Sequence, residues 1–208
     1  MRLVRKGTWM KIICFTLIAL LGAACGEDGI DSDEEARRAY LGLDTSIEKS
    51  LTLGFAGFNA ASSANIDPQM ATGTKAGMLV ITGQVDQGAS ANKGMRLHVG
   101  MVGYTDGAVV IDGEEKDINI TYDTSTDPTM QPLLNLTLRN IPTGTLEGTL
   151  TGVYVMTGDV KGEATLNLTV SGKLQSSGSG GVGRVPGMTV VTGTASTGDG
   201  MYDVNVTL

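Results

Sequence analysis

Ala164-Thr165-Leu166-Asn167-Leu168-Thr169-Val170-Ser171 alternates apolar and short polar side chains without a break. Successive side chains of a strand point to opposite faces, so this stretch carries one apolar side and one Thr/Asn side. The same period of two runs through Met95, Leu97, Val99 and Met101, then Leu134, Leu136 and Leu138, and again Tyr202, Val204, Val206 and Leu208. Leu146, Leu150, Tyr154 and Met156 share a face with Gly148 and Gly152. One apolar and one polar face per strand is the pattern of an antiparallel sheet with a single buried side.

Turn chemistry divides these runs. Asp106-Gly107 and Asp112-Gly113 are tight-turn pairs, Thr197-Gly198-Asp199-Gly200 closes a last hairpin, and Pro142, Thr143 and Gly144 separate two more strands. Gln175–Gly187 is rich in Gly and Ser and reads as a mobile loop inside one domain, because strand patterning resumes after it. The expectation is a mainly β domain of about eight strands, a β-sandwich or a small up-and-down barrel. Gly-x-x-Val-x-Thr-Gly-x-(Val/Ala) occurs three times, from Gly77, Gly152 and Gly187. The starts are 75 and 35 residues apart, which is no solenoid repeat, and glycines that bend or bulge a strand explain the phrase better than a shared ligand does.

Only 33–60 has helical spacing. Leu43, Ile47, Leu51, Gly54, Phe55 and Phe58 recur at steps of three and four, and Asp44 or Thr45 could cap a start there. A strand at Leu51–Phe55 is the competing reading. The expected helix covers about 38–60 and plugs or covers the sheet. Residues 25–37 form an acidic tether, and the folded domain spans 38–208. Asp28, Asp31 and Asp33 lack the spacing of a calcium loop.

Upstream, Arg2, Arg5, Lys6 and Lys11 precede the short apolar run Ile12–Leu21, and Gly22-Ala23-Ala24 leads to Cys25. A basic start, a run too short to span a bilayer well and small residues at a cleavage site describe a secretory signal over 1–24. Together with Cys25, this segment resembles a bacterial lipoprotein signal; the leucine usual three places before the cysteine stands one step earlier, at Leu21. The resemblance implies cleavage between Ala24 and Cys25, with diacylglycerol and palmitate on Cys25. It also implies a membrane anchor, and Gly26, where an aspartate would hold such a protein at the inner membrane, implies the outer membrane. No family is recognised for the mature domain.

Cleavage there leaves 184 residues with 11 basic against 22 acidic side chains, a formal charge of −11. Such a field repels nucleic acid and anionic lipid heads. Cys25 is the one cysteine left, which excludes disulfides and cysteine-based metal or nucleophile chemistry in the mature chain. His98 is the single histidine, on the polar side of its strand, and no Gly-x-Ser-x-Gly elbow accompanies it. Glu114, Glu115 and Asp117 could serve glycosidic chemistry but sit beside a turn, and the mature chain has no tryptophan for sugar stacking. Eight mature-chain methionines read as core filling; Met95 and Met101, about 20 Å apart along one strand face, could not share a copper ion. Asn119, Asn135, Asn167 and Asn205 match the glycosylation sequon, but follow from alternation with Asn and Thr on a wet face.

No cofactor or metal is expected. The function expected is a lipid-anchored, non-enzymatic binding or structural β-domain of the cell envelope, its protein or ligand partner unknown. A carrier enclosing a small apolar ligand in a barrel is the alternative. A membrane-inserted barrel, short of aromatic girdles, and a hydrolase rank lower.

Overall fold

The computed structural model describes residues 32–111, 114–177, 180–198 and 200–208. The signal, Ala24, Cys25, most of the tether and the Asp112-Gly113 turn lie outside them, as does Asp199. The chain is mainly β, with one N-terminal helix, α1 (Asp33–Ala60). After it come β1 (Gln69–Thr72), β2 (Ala76–Val85), β3 (Lys93–Thr105), β4 (Ala108–Ile111), β5 (Glu114–Asp117) and β6 (Ile120–Asp123). A 3-10 turn at Pro128–Met130 leads to β7 (Leu133–Arg139), β8 (Thr145–Gly158), β9 (Gly162–Ser177), β10 (Gly181–Ser196) and β11 (Met201–Thr207).

Nine strands form one antiparallel sheet in the order β1-β2-β3-(β6, β7)-β8-β9-β10-β11, with β6 and β7 end to end between β3 and β8. Register follows the alternation read from sequence. Leu97, Leu134, Leu150 and Leu168 are cross-strand neighbours on the inner face, all at most 1% exposed. One residue along each strand, Arg96, Asn135, Thr149, Thr169, Thr192 and Asn205 form an outward polar row. A slip of one residue would exchange the two rows, so burial fixes register. The four sequon asparagines are exposed, on the wet side as expected.

Helix α1 buries Leu43, Ile47, Leu51, Gly54 and Phe55, with Phe58 half-buried. It starts five residues before the expected boundary. Ser32, and neither Asp44 nor Thr45, caps it by accepting a hydrogen bond from the Glu35 backbone N–H at 3.3 Å. Ala36, Ala39 and Tyr40 carry the buried stripe two turns further upstream. Asp33, Glu34 and Glu35, expected in the tether, occupy the first turn, where negative charge suits the helix dipole.

The sheet must curl around this helix. Thr52 faces Ala71 of β1 on one flank and Arg184 of β10 on the other. In a flat sheet those strands would stand about 29 Å apart, and a helix is only about 10–12 Å across. No pairing joins β1 to β11 among the described residues, so α1 sits in the seam of an open barrel. Its own side chains fill the interior: Tyr40, Leu43 and Leu51 are buried with Leu79, Leu97, Leu150 and Leu168 in one core. Small residues allow the close fit, since a Cβ at Gly54 would come within 2.8 Å of Leu97 Cδ1.

Four expectations change. The Gln175–Gly187 loop is the tip of the β9–β10 hairpin, with pairing continuing to Ser177 and Gly181 and only Gly178 and Ser179 undescribed. Asp106-Gly107 does not join two strands of the large sheet: β4 pairs only with β5, in a separate hairpin. The strand count rises because β1, β4, β5 and β6 have four residues each, and of these only β6, with Ile120 and Tyr122 buried and Thr121 and Asp123 half-buried, alternates apolar and polar residues. Core filling holds for Met95, Met101 and Met156, whereas Met70, Met78, Met130, Met188 and Met201 are exposed.

The recurring Gly-x-x-Val-x-Thr-Gly phrase marks backbone geometry. In all three copies both glycines have positive φ, from +70° at Gly187 to +151° at Gly152. A Cβ at Gly83 (φ +131°) would run into the Arg96 carbonyl of β3, and one at Gly193 (φ +142°) into the Asn167 carbonyl of β9. Gly83→Ala or Gly193→Ala should therefore destabilise by about 1–3 kcal/mol or more. Gly198→Ala, in open space without a positive φ, should stay within about 0.5 kcal/mol. Thermal melts of the three variants check this.

Candidate functional site

The outer face of α1 is exposed along the seam, and two concave surfaces flank it. On the β10 side, Glu48, Thr52 and Phe55 face Arg184, Val185 and Leu208 across a groove of about 430 Å³. On the β1 side, Thr45, Lys49 and Leu53 face Ala71 across about 290 Å³. Glu48 and Thr52 line both. A third hollow, of about 410 Å³, lies at the helix C-terminus, where the Asn59 amide donates to the Val182 carbonyl at 2.8 Å and accepts from the Val182 N–H at 2.9 Å.

The wall of the first groove is a bulge in β10. Pairing with β9 breaks between Arg184, opposite Leu174, and Thr189, opposite Gly172. Four residues, Val185 to Met188, therefore stand against Lys173 alone. Pro186 has no N–H to give a ladder and is tolerated at such a break. Pairing with β11 runs up to the margin of the bulge, where Leu208 N–H donates to the Thr189 carbonyl at 2.8 Å and the Leu208 carbonyl accepts from Thr189 N–H at 3.3 Å. Leu208 lies beside the displaced segment in the groove, and Arg184, at the other end of the bulge, reaches Thr52 of the helix.

Arg184 has a side chain only 12% exposed, yet its partners are distant: Thr52 Oγ1 at 3.5 Å and a Glu48 carboxylate oxygen at 3.9 Å. Burial pulls its pKa below the ordinary arginine value, against the opposing charge of Glu48. A guanidinium has five donors in a fixed fork, and here few are used.

Lys49, on the opposite flank, is fully engaged. Its Nζ donates to Asp106 Oδ1 at 2.6 Å and to the Tyr104 hydroxyl at 2.9 Å. Thr74 donates to Asp106 Oδ1 through both N–H and Oγ1 at 2.8 Å, and Tyr104 donates to Oδ2 at 2.5 Å. Burial would raise the Asp106 pKa, but the hydrogen bonds from Lys49, Tyr104 and Thr74 outweigh it and hold the carboxyl below its usual value. Burial, then the Asp106 hydrogen bond and charge, push the Tyr104 phenol up. Every member is satisfied by another, so the cluster fastens α1 to β3 and presents no free base or nucleophile.

The residues singled out from sequence do not gather. His98 lies half-buried on the outer face of β3, with Nδ1 buried and unpartnered. Glu115 and Asp117 are exposed on the separate β4–β5 hairpin. Among the described residues no group of three or more His, Cys, Asp or Glu could hold a metal ion. Met95 and Met101 are both buried in the core. Sequence reading missed Arg184, Lys49, Tyr104 and Asp106. Its one signal was a lone cation between Gly183 and Val185 in the Gly-rich stretch, Arg184 itself. The chain matches no family model, no curated protein and no solved structure.

The Asp106 cluster makes a pH prediction. A carboxyl whose pKa is lowered by folding stabilises the native state above the unfolded value, and that contribution fades as pH falls through the folded value. Wild-type stability should fall below about pH 4, and Asp106→Asn should flatten that fall while costing about 2 kcal/mol at neutral pH. Denaturant titrations of both proteins from pH 7 to 3 measure the difference.

Proposed function

We propose that this protein is a lipid-anchored, non-enzymatic binding domain of the bacterial cell envelope, held at the outer membrane through acylated Cys25 and binding its ligand at the seam. The filled interior carries this reading: α1 occupies the space an enclosed ligand would need, and the open concave surfaces lie beside the helix. The anchor rests on the lipoprotein-like signal. No helix among the described residues is long and apolar enough to cross a membrane.

Two rival readings fit less well. A spanning barrel carries an apolar band outward, whereas here the outward row through Arg96, Asn135, Thr149, Thr169, Thr192 and Asn205 is polar. A hydrolase needs a nucleophile and base within reach of each other, and the satisfied Lys49–Tyr104–Asp106 cluster supplies neither.

Cys25→Ser expressed in a bacterial host should move the chain from the membrane pellet to the soluble fraction. Intact mass of the wild type should show loss of residues 1–24 and gain of acyl chains. An unacylated wild-type product, or a serine variant that still sediments with membranes, removes the anchor from this account.

A further inference from the structure

We propose that the groove between α1 and the β10 bulge binds an amphiphile with a single carboxylate or phosphate head, the head on the Arg184 guanidinium and the alkyl chain along Phe55, Val185 and Leu208. This rests on the reading of the seam as the binding surface and specifies its ligand class.

Two chemistries meet in one hollow. Arg184 is nearly withdrawn from water, but its contacts with Thr52 at 3.5 Å and Glu48 at 3.9 Å are too long for good hydrogen bonds. A partly buried cation so loosely paired carries a desolvation cost, and a carboxylate or phosphate that accepts two of its N–H groups offsets it. Glu48 is 57% exposed and holds Arg184 only loosely, so an incoming head can displace it. The apolar half is formed by Phe55, 5% exposed, with Val185, Pro186 and Leu208 around it. A volume of about 430 Å³ lies within the range of small-molecule sites.

The protein's own charge explains why head and tail are both needed. A body of formal charge −11 after cleavage repels anions at long range. At physiological salt that repulsion is screened beyond about 8 Å, and attraction to one arginine does not concentrate a small anion against it. Burial of an alkyl chain, at about 0.8 kcal/mol for each methylene, supplies the remaining affinity. Small free anions are thereby excluded, and uncharged lipids, which make no ion pair with Arg184, are held more weakly.

Calorimetric titration of the full chain carrying Cys25→Ser tests this, using laurate, dodecyl phosphate, 1-dodecanol and acetate below micellar concentrations. The charged amphiphiles should bind, dodecanol at least about tenfold more weakly, and acetate not at all. Arg184→Gln should reduce laurate to the affinity of dodecanol, Glu48→Gln should tighten laurate, and Thr52→Trp, on the exposed helix face, should block both. Circular-dichroism melts establish that each variant is folded; if Arg184→Gln is not, the Glu48 and Thr52 variants decide. No binding of laurate, equal affinity for laurate and dodecanol, or laurate binding indifferent to the folded variants overturns the proposal. Laurate binding by a chain whose wild type proves unacylated sinks the anchor alone. A correctly acylated protein that ignores laurate sinks the ligand alone.

Discussion

Packing of α1 into the curled sheet is the constraint from which the rest follows. An open antiparallel sheet ends in two edges with unpaired backbone groups, and its apolar inner face needs a partner. Here one helix serves as that partner and also stands between the edges β1 and β11. Gly42, Gly54 and Gly57 let it lie close, with Tyr122 packed beneath Gly42 and donating its hydroxyl to the Ala39 carbonyl at 2.6 Å. Ser46 and Ser50, buried on the same helix, return their hydroxyls to the Leu43 and Ser46 carbonyls, so both donors are satisfied within the helix. The Asp106 cluster then fixes the helix along its axis, joining Lys49 to a strand end and to the β1–β2 turn through Thr74.

That arrangement accounts for where the concave surfaces are. A barrel closed by hydrogen bonds would have strands along its whole circumference. One closed by a helix retains a flank on either side of it, because a cylinder does not fill a slot made of flat strands. The flanks differ because the cations differ: Lys49 is spent on structure, while Arg184, carried by the β10 bulge, has only long contacts to Thr52 and Glu48. A fold-level solution to edge closure thus leaves concave surfaces beside the helix.

Much of this was readable in the chain. Strict alternation in Leu134–Leu138 and Ala164–Ser171 located the long strands, because one wet and one dry face leave period two as the simplest code. The apolar stripe from Leu43 to Phe58 located the helix. Its true start was hidden because Asp33, Glu34 and Glu35 look alike whether they form a solvated tail or a first turn; Ala36 and Ala39 are too small to signal burial. The β10 bulge was masked by the same Gly, Ser and Pro that mark loops. The Asp106 cluster was out of reach, since Lys49 lies 55 and 57 positions from Tyr104 and Asp106 and no local pattern links them. Most of the methionines misled, because a flexible thioether suits a core and a surface equally.

The first turn of α1 lies against the final hairpin: Met201 N–H donates to Asp33 Oδ1 at 3.3 Å, and Gly200 packs on the Ser32 carbonyl. The chain therefore enters the body at one pole. Under the proposed anchor, residues 25–31 can span at most about 24 Å, so that pole is moored near the bilayer. The opposite pole, with the β9–β10 hairpin and Asn59, then looks away from the lipid. The groove at Glu48, Thr52 and Phe55 belongs to the C-terminal half of α1, so under that anchor it sits on the half of the body turned from the bilayer.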